Sequence, residues 1–259
     1  MNIDFHVHGL LSKRKDFNEK FFLNEIRYAN DNNINGIVLC EHFNAINFKD
    51  IYGYLDKNFR YEGNRYIVDG VAIFPAMEVS IKNKGHVIIC GDRYDILELN
   101  NILKKNMVKD NLIDFEELLD IADIYNCLKI GAHPCRRGHK LSKHPEELLK
   151  RLDAIDLNAK DIFKKGENTC KNELVELSKK IGVNIVTGSD SHTPLQIGSI
   201  YTSLEKECTT IEELRNEIKL ESYSINISNS LVFKVYTSKI LKRYLMASKT
   251  YDKNTNFTI

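Results

Sequence analysis

The sequence lacks the marks of several large protein classes. None of its six cysteines, at 40, 90, 127, 135, 170 and 208, belongs to a C-x-x-C pair. Several lie inside apolar runs, so buried thiols in a reducing compartment are expected rather than a disulfide framework. No segment approaches the ~18 consecutive apolar residues of a membrane span. The amino-terminal MNIDFHVHG has neither a basic stretch nor a long apolar core, so a cytoplasmic location is expected. Charge of one sign is missing too. Lys and Arg total 37 against 36 Asp and Glu, a net charge of +1, which leaves no global field to draw the chain to nucleic acid or a membrane surface. There is no Walker-type G-x-x-x-x-G-K, and no G-x-G-x-x-G follows a strand. The basic residues form no aromatic-rich stripe, so a dedicated nucleic-acid surface is not expected. No Pro/Gly/Ser linker or internal repeat divides the 259 residues, a length common for single α/β barrels.

What the chain does have is alternation. Strands are expected at 2–7, 36–40, 71–77, 86–90, 128–132, 153–157, 184–188 and 223–227. Helices are expected near 18–32, 48–58, 94–105, 114–126, 145–151, 171–181 and 211–219, several with apolar residues at i, i+3 and i+4. Repeated βα units argue for a parallel sheet, open or closed into a barrel, with chemistry beyond the carboxyl ends of its strands. From about 230 the chain reads as an apolar and basic helix, LVFKVYTSKILKRYLM, followed by the polar tail KTYDKNTNFTI. The helix is expected to pack on the barrel and the tail to fray. Residues 1–228 thus form the expected main domain, and 229–259 a C-terminal helix and flexible tail.

The ends of the expected strands carry a coherent chemistry. The first ends His6-Val7-His8, the second Cys40-Glu41-His42, and the third Ala76-Met77-Glu78. The fourth begins Gly85-His86, the fifth ends Ala132-His133-Pro134, and the last barrel strand delivers Asp190-Ser191-His192. Six of the eight histidines fall in this set. On an extended strand i and i+2 face the same side, so His6 and His8, and likewise Asp190 and His192, can grip one ion. Neutral imidazole and carboxylate suit Zn²⁺, Mn²⁺ and Fe²⁺. Six imidazoles and two carboxylates exceed the needs of a single four-coordinate ion, so two or three are expected, with Glu78 as the natural bridge. Each motif alone has an ordinary structural reading. A histidine before proline, for instance, simply favours extended backbone. His139 and His144, in the loop GHKLSKHP, fall outside the pattern and are expected to be solvated.

Taken in order, H-x-H, E-H, the third-strand glutamate, an isolated histidine, A-H-P and G-S-D-x-H resemble the PHP (polymerase and histidinol phosphatase) superfamily over roughly residues 1–200. The resemblance implies a distorted seven-stranded β/α barrel, two or three divalent metals and phosphoester hydrolysis. By motif, His6, His8, Glu78 and Asp190 would hold a first ion, and Glu78, His86 and His133 a second. His42 and His192 would serve a third. The chain departs from the family where an aspartate or histidine commonly follows H-x-H, because Ser12 and Lys13 stand there. Three arrangements remain open: Asp16 or a water completes the third site, its ion is held loosely, or Lys13 substitutes a fixed charge. The G-x-E motif reads Ala76-Met77-Glu78, which keeps the ligand.

Such a constellation suits phosphoesters. Metals offset the charge that repels an anionic nucleophile and lower the pKa of bound water toward about 7, so hydroxide is available near neutral pH. Arg136, just after A-H-P, is the candidate phosphate clamp, since the guanidinium fork matches phosphate oxygens; Lys13 is a second candidate. Glu78 and Asp190 complete the expected catalytic set. Cys135 has no paired base and reads as a structural thiol, while Asn44 and Asn158 are candidates for orienting a ligand or substrate. The expected partner is a small phosphorylated substrate. Two other functions fit the same residues. One is a metal-stabilised, non-catalytic binding or regulatory subunit. The other is an amidohydrolase-like C–N hydrolase, for which no bridging lysine is evident at a strand end.

Overall fold

The computed structural model describes residues 1–248, so the polar tail lies outside the described residues. The chain opens with β1 (Asn2–Val7), α1 (Glu19–Asp31), β2 (Gly36–His42), α2 (Phe48–Asn58), β3 (Arg60–Glu62), β4 (Arg65–Val68), β5 (Val71–Ser80) and β6 (His86–Cys90). It continues with α3 (Arg93–Ile102), α4 (Phe115–Ile124), β7 (Leu128–Ala132), α5 (Glu146–Leu149), β8 (Ala154–Asn158), α6 (Ala159–Lys165) and α7 (Glu167–Ile181). Last come β9 (Asn184–Gly188), β10 (Ile200–Leu204), α8 (Ile211–Leu220), β11 (Tyr223–Ile227) and α9 (Leu231–Ala247).

The sheet runs β11-β10-β1-β2-β5-β6-β7-β8-β9, and the β3–β4 hairpin hangs from β5. Beyond β9 the chain returns to β1. Val7 bridges Ser191 in parallel, Asp190 N donates to His6 O at 2.8 Å, and His8 N donates to Ser191 O at 3.0 Å. The wall is therefore a nearly closed barrel of β1, β2, β5, β6, β7, β8 and β9, the distorted β/α barrel expected from the sequence, within a sheet of eleven strands.

Within the barrel wall the expected parallel order is broken at one strand; outside it, β10, β11 and the β3–β4 hairpin also pair antiparallel. β6 is antiparallel to both β5 and β7. Only residues 81–85 join β5 to β6, far too few for a crossover helix, so the chain turns back as a hairpin. Asn83, Lys84 and Gly85 take φ values of 59°, 71° and 151° to do so. Reversal puts the first residue of β6, His86, at the rim where the parallel strands end. The expected strands also missed β3, β4, β10 and the helix α6, and β5 runs on through Glu78 to Ser80.

Two apolar layers hold the barrel. One fills the interior with Ile3, Phe5, Val38, Phe74, Ile88, Ile130 and Val186. Ile211, Leu214 and Ile218 of α8 join it. Arg215 of α8 donates to Asn126 O just before β7, and Asn184 at the start of β9 donates to Ile218 O, so α8 plugs the amino ends of the strands. The other layer lies between the sheet and the surrounding helices. Along β1, Ile3 and Phe5 belong to the inner layer but Val7 to the outer one. The pairing of β1 on β2 shifts register between Asp4 and Val7, and this irregularity turns His6 and His8 toward the interior. Asp4 secures it, its Oδ1 accepting from His6 N at 3.1 Å and Ser189 N at 2.9 Å. Among the described residues, no helix is long and apolar enough to cross a membrane.

Candidate metal centre

Glu78 is the hub of the rim. Its Oε1 accepts from His86 Nδ1 at 2.8 Å and His133 Nε2 at 3.0 Å. Its Oε2 lies 2.9 Å from His42 Nδ1 and 3.7 Å from His8 Nε2, and His6 Nε2 stands 3.7 Å from Oε1. Five imidazoles from β1, β2, β6 and the end of β7 thus surround one carboxylate that is 2% exposed. Burial alone would raise the pKa of Glu78, but His86, His42 and the bond from His133 outweigh it and hold the carboxyl well below its usual range.

Asp190 forms the second pole. It stands 3.5 Å from His8 Nε2 and 3.9 Å from His6 Nε2. Here too burial would raise the pKa, and here too neighbours win: Lys160 and Arg136 hold Asp190 well below the usual carboxylate range. Lys160 Nζ donates to Oδ1 at 2.7 Å and Arg136 Nη1 to Oδ2 at 2.9 Å. His192 stacks near His8, ring centroids 4.1 Å apart, and His8 lies 4.6 Å from His42. Burial, then His8, Lys160 and Lys242, depress the His192 pKa well below its ordinary value, so the ring is neutral at pH 7. Backbone strain concentrates here, since His133 and Asp190 adopt φ of 35° and 57°.

The donors suit a bound cation. Four sets have one ligand atom each within 4.8 Å of one another: His6 with His8 and Cys40; His8 with His42 and His192; His6 with His133 and Asp190; and Glu78 with His86 and His133. Among the described residues His6 Nε2, both nitrogens of His8, and His133 Nδ1 are buried without a hydrogen-bond partner. Each orphan costs on the order of 1–3 kcal/mol. Imidazole nitrogens beside carboxylates, desolvated and unsatisfied, are the donor chemistry of a divalent ion.

Other expected residues are placed differently from one another. All three Arg136 nitrogens are engaged within the protein, with Asp161 at 2.8 Å, Asp190 at 2.9 Å and Asn158 at 2.7 Å. Lys13 is half-buried in the segment after β1, its carbonyl accepting from Ile46 N, and its ammonium makes no hydrogen bond or ion pair with the rim residues. Asp16 is exposed and accepts from Asn47. Asn44 donates to Met107 O at 3.4 Å. Asn158 donates to Asp156 at 3.0 Å. Cys135 is half-buried, and burial followed by Glu173 pushes its thiol pKa up, the reverse of an activated nucleophile. His144 is half-buried, its Nε2 2.9 Å from Lys84 O and its ring 5.1 Å from Phe115. His139 departs from the expected solvated position. The loop after β7 folds back through Arg136 N to His133 O and His139 N to Arg136 O, which sets the His139 ring 4.5 Å from His86 and 5.8 Å from His133.

Four side chains that hold or act on the rim residues were not assigned a role from the sequence. Asp156 accepts from His6 Nδ1 at 2.9 Å and from His133 N, tying two strand ends together. It lies two residues before Asn158 on β8, a same-face spacing that offered a signal. Glu41 accepts from Leu10 N and His42 N, both at 2.9 Å, fixing the turn after His8. Lys160 and Lys242 lie on helices and carried no strand-end signal.

Residues 172–222, from α7 through Asp190 and His192 to α8, match a family model described as PHP-associated. No curated protein matches the chain in sequence. The structure is similar to PsfC from Pseudomonas syringae, with a TM-score of 0.76 at 21% identity over 95% of this chain and 98% of that one. It is also similar to the lesion-specific endonuclease Q of Pyrococcus furiosus, with a TM-score of 0.61 at 18% identity, covering 86% of this chain but only 57% of the endonuclease. An amidohydrolase from Chromobacterium violaceum gives a TM-score of 0.53 at 12% identity over 89% of this chain and 99% of that one. The PHP-associated segment, the shared barrel and the rim of histidines and acids bear out the family reading: in sequence and in fold, the chain resembles the PHP superfamily.

Proposed function

We propose that the protein is a metal-dependent phosphoesterase acting on a small phosphorylated substrate. The observation that carries this reading is the single buried Glu78 carboxylate ringed by His6, His8, His42, His86 and His133. In this reading two or three divalent ions, Zn²⁺, Mn²⁺ or Fe²⁺, supply charge neutralisation and an activated water. His6, His8, Asp190 and Glu78 hold the first, Glu78, His86 and His133 the second, and His42 and His192 serve a third beside His8.

The chain's own residues then have distinct tasks. Glu78 turns Oε1 to His86 and His133 and Oε2 to His8 and His42, so its carboxylate would be shared between two ions. Asp156 orients His6 from Nδ1, leaving Nε2 to face the centre. Arg136 and Lys160 keep Asp190 ionised and aimed. Arg136 therefore serves as a positioning residue rather than the free clamp expected from the sequence. A small substrate is favoured over nucleic acid because the net charge is +1 and a phosphate-tracking surface needs concentrated positive charge.

The test is hydrolysis of p-nitrophenyl phosphate and a panel of phosphorylated metabolites, set beside a cyclic-amide panel, with Mn²⁺, Zn²⁺ or Fe²⁺ supplied. Phosphoester turnover that disappears in a folded Glu78→Ala variant supports the reading. Turnover unchanged in that variant, or confined to the amides, overturns it.

A further inference from the structure

The loop between β7 and α5 carries a histidine that has no polar partner. The chain folds back on itself after His133. Arg136 N donates to His133 O at 2.9 Å, His139 N to Arg136 O at 3.0 Å, Leu141 N to His139 O at 2.8 Å and Ser142 N to Pro134 O at 3.1 Å. Gly138, at φ 96°, permits the reversal just before His139.

The loop is also fastened to both strands that carry donors of the second ion position. Leu141 is fully buried. It sits over Gly85 and Gly131, where an added Cβ would stand 3.0 and 2.8 Å from it. Gly85 immediately precedes His86, and Gly131 lies two residues before His133. The packing that seats the loop therefore also fixes His139 relative to those two histidines.

His139 is half-buried, and among the described residues its ring makes no hydrogen bond or ion pair. The ring centre lies 4.5 Å from that of His86 and 5.8 Å from that of His133, and those two lie 5.1 Å apart. Imidazoles bonded to one ion at about 2.0–2.1 Å hold their ring centres roughly 4.5–5.5 Å apart. The three rings thus come close to the triangle that a shared ion spans.

Glu78, His86 and His133 form a compact donor set, with Glu78 Oε1 2.8 Å from His86 Nδ1 and 3.0 Å from His133 Nε2. Three donors leave a four-coordinate ion one short. His139 stands just outside that set, and no hydrogen bond opposes a turn of its ring.

We propose that His139 turns inward to become the fourth protein ligand of the second ion position, joining Glu78, His86 and His133. The inference rests on the metal-centre reading and deepens it. Three imidazoles to one carboxylate favour Zn²⁺ or Fe²⁺ over Mn²⁺, which suits oxygen ligands. The competing arrangement has water in the fourth place and His139 packed on His86 as an aromatic cover. It predicts no bond from His139 to metal.

The experiment saturates the full-length protein with Zn²⁺ and counts zinc-bound imidazole nitrogens by nitrogen NMR with isotope-labelled histidine. It compares wild type with His139→Ala and His139→Gln, and chelator competition gives Zn²⁺ and Mn²⁺ affinities. Each variant should show one zinc-bound nitrogen fewer than wild type. Zn²⁺ affinity at one position should fall by about 100-fold or more, the upper end of what loss of an outer partner costs. Mn²⁺ affinity should fall less. His139→Gln, which keeps bulk over His86, decides the matter if His139→Ala is unstable. An equal nitrogen count in wild type and His139→Gln overturns the inference and leaves the metal centre standing. A wild type that binds no ion overturns both. If ions bind but no phosphoester is hydrolysed, the phosphoesterase reading falls, and the nitrogen count still decides whether His139 is a ligand.

Discussion

His6 donates from Nδ1 to Asp156 Oδ2 at 2.9 Å, joining β1 to β8 across 150 residues of sequence. The bond fixes which nitrogen carries the proton and leaves Nε2, buried and unpartnered, as the free ligand atom. Removing such an orienting carboxylate typically costs 10–100-fold in metal affinity. Asp156→Asn should therefore fold, with metal affinity reduced by roughly that factor, as measured by competition with a chromophoric chelator. Unchanged affinity would show that the bond does not orient a ligand.

The same junction tolerates no side chain at Gly188. A Cβ there would collide with the His6 Cβ and stand 2.8 Å from Asp156 Oδ2. Both neighbours are held in place by the bond between them, so relief must come from the strand. Gly188→Ala should cost about 1–3 kcal/mol, in the range of overpacked interiors, read by urea denaturation of the metal-free protein. It should also lower metal uptake; a variant equal to wild type in both would contradict this packing.

Arg136 tests the difference between a positioning residue and a substrate clamp. Its three nitrogens satisfy Asp161, Asp190 and Asn158, so truncation leaves buried acceptors without a donor. Arg136→Met should destabilise the protein by about 3 kcal/mol or more and loosen metal retention through Asp190. A stable, fully metallated variant with only a raised KM would instead make Arg136 a clamp.

Acid should weaken the metal-free protein through His133. Burial first, then Arg136, lower its pKa in the folded state to about 4 from an ordinary 6.5. Above 6.5 the ring is neutral whether folded or not, and pH has no effect through it. Between 6.5 and 4 the unfolded chain takes up a proton that the folded chain refuses, so stability falls as pH falls. Relative to a His133→Asn variant, wild type should lose on the order of a few kcal/mol from about pH 7 to about pH 4, measured as the difference between their urea denaturation free energies. A pH-independent difference would mean that the imidazole is not excluded from protons.

Much of the site is legible in the sequence. The i, i+2 histidines, the A-H-P turn and Asp190-Ser191-His192 each stand at a strand end, and the βα alternation supplies a reason for strand ends to meet. The period-2 rule gives the right facing for His6 and His8, although the register shift after Asp4 is what turns them inward. Residues acting from helices escape such a reading. Lys160 and Lys242 look like solvated positives because helical periodicity does not say which turn overhangs a barrel mouth. His139 looks like a loop residue because the fold-back of its loop depends on backbone bonds to His133 and Arg136. The reversal of β6 is hidden in the brevity of the 81–85 turn, and it is what brings His86 to Glu78.

The central claim is that Glu78 and its five imidazoles are a site for a cluster of divalent ions. The most direct measurement is metal content per chain, by mass spectrometry on protein purified without chelator, for wild type and for Glu78→Ala. The account predicts two or three ions in wild type and the loss of at least one when the bridging carboxylate is removed. A folded wild-type protein that takes up no divalent ion, or a Glu78→Ala variant with the full complement, would contradict it.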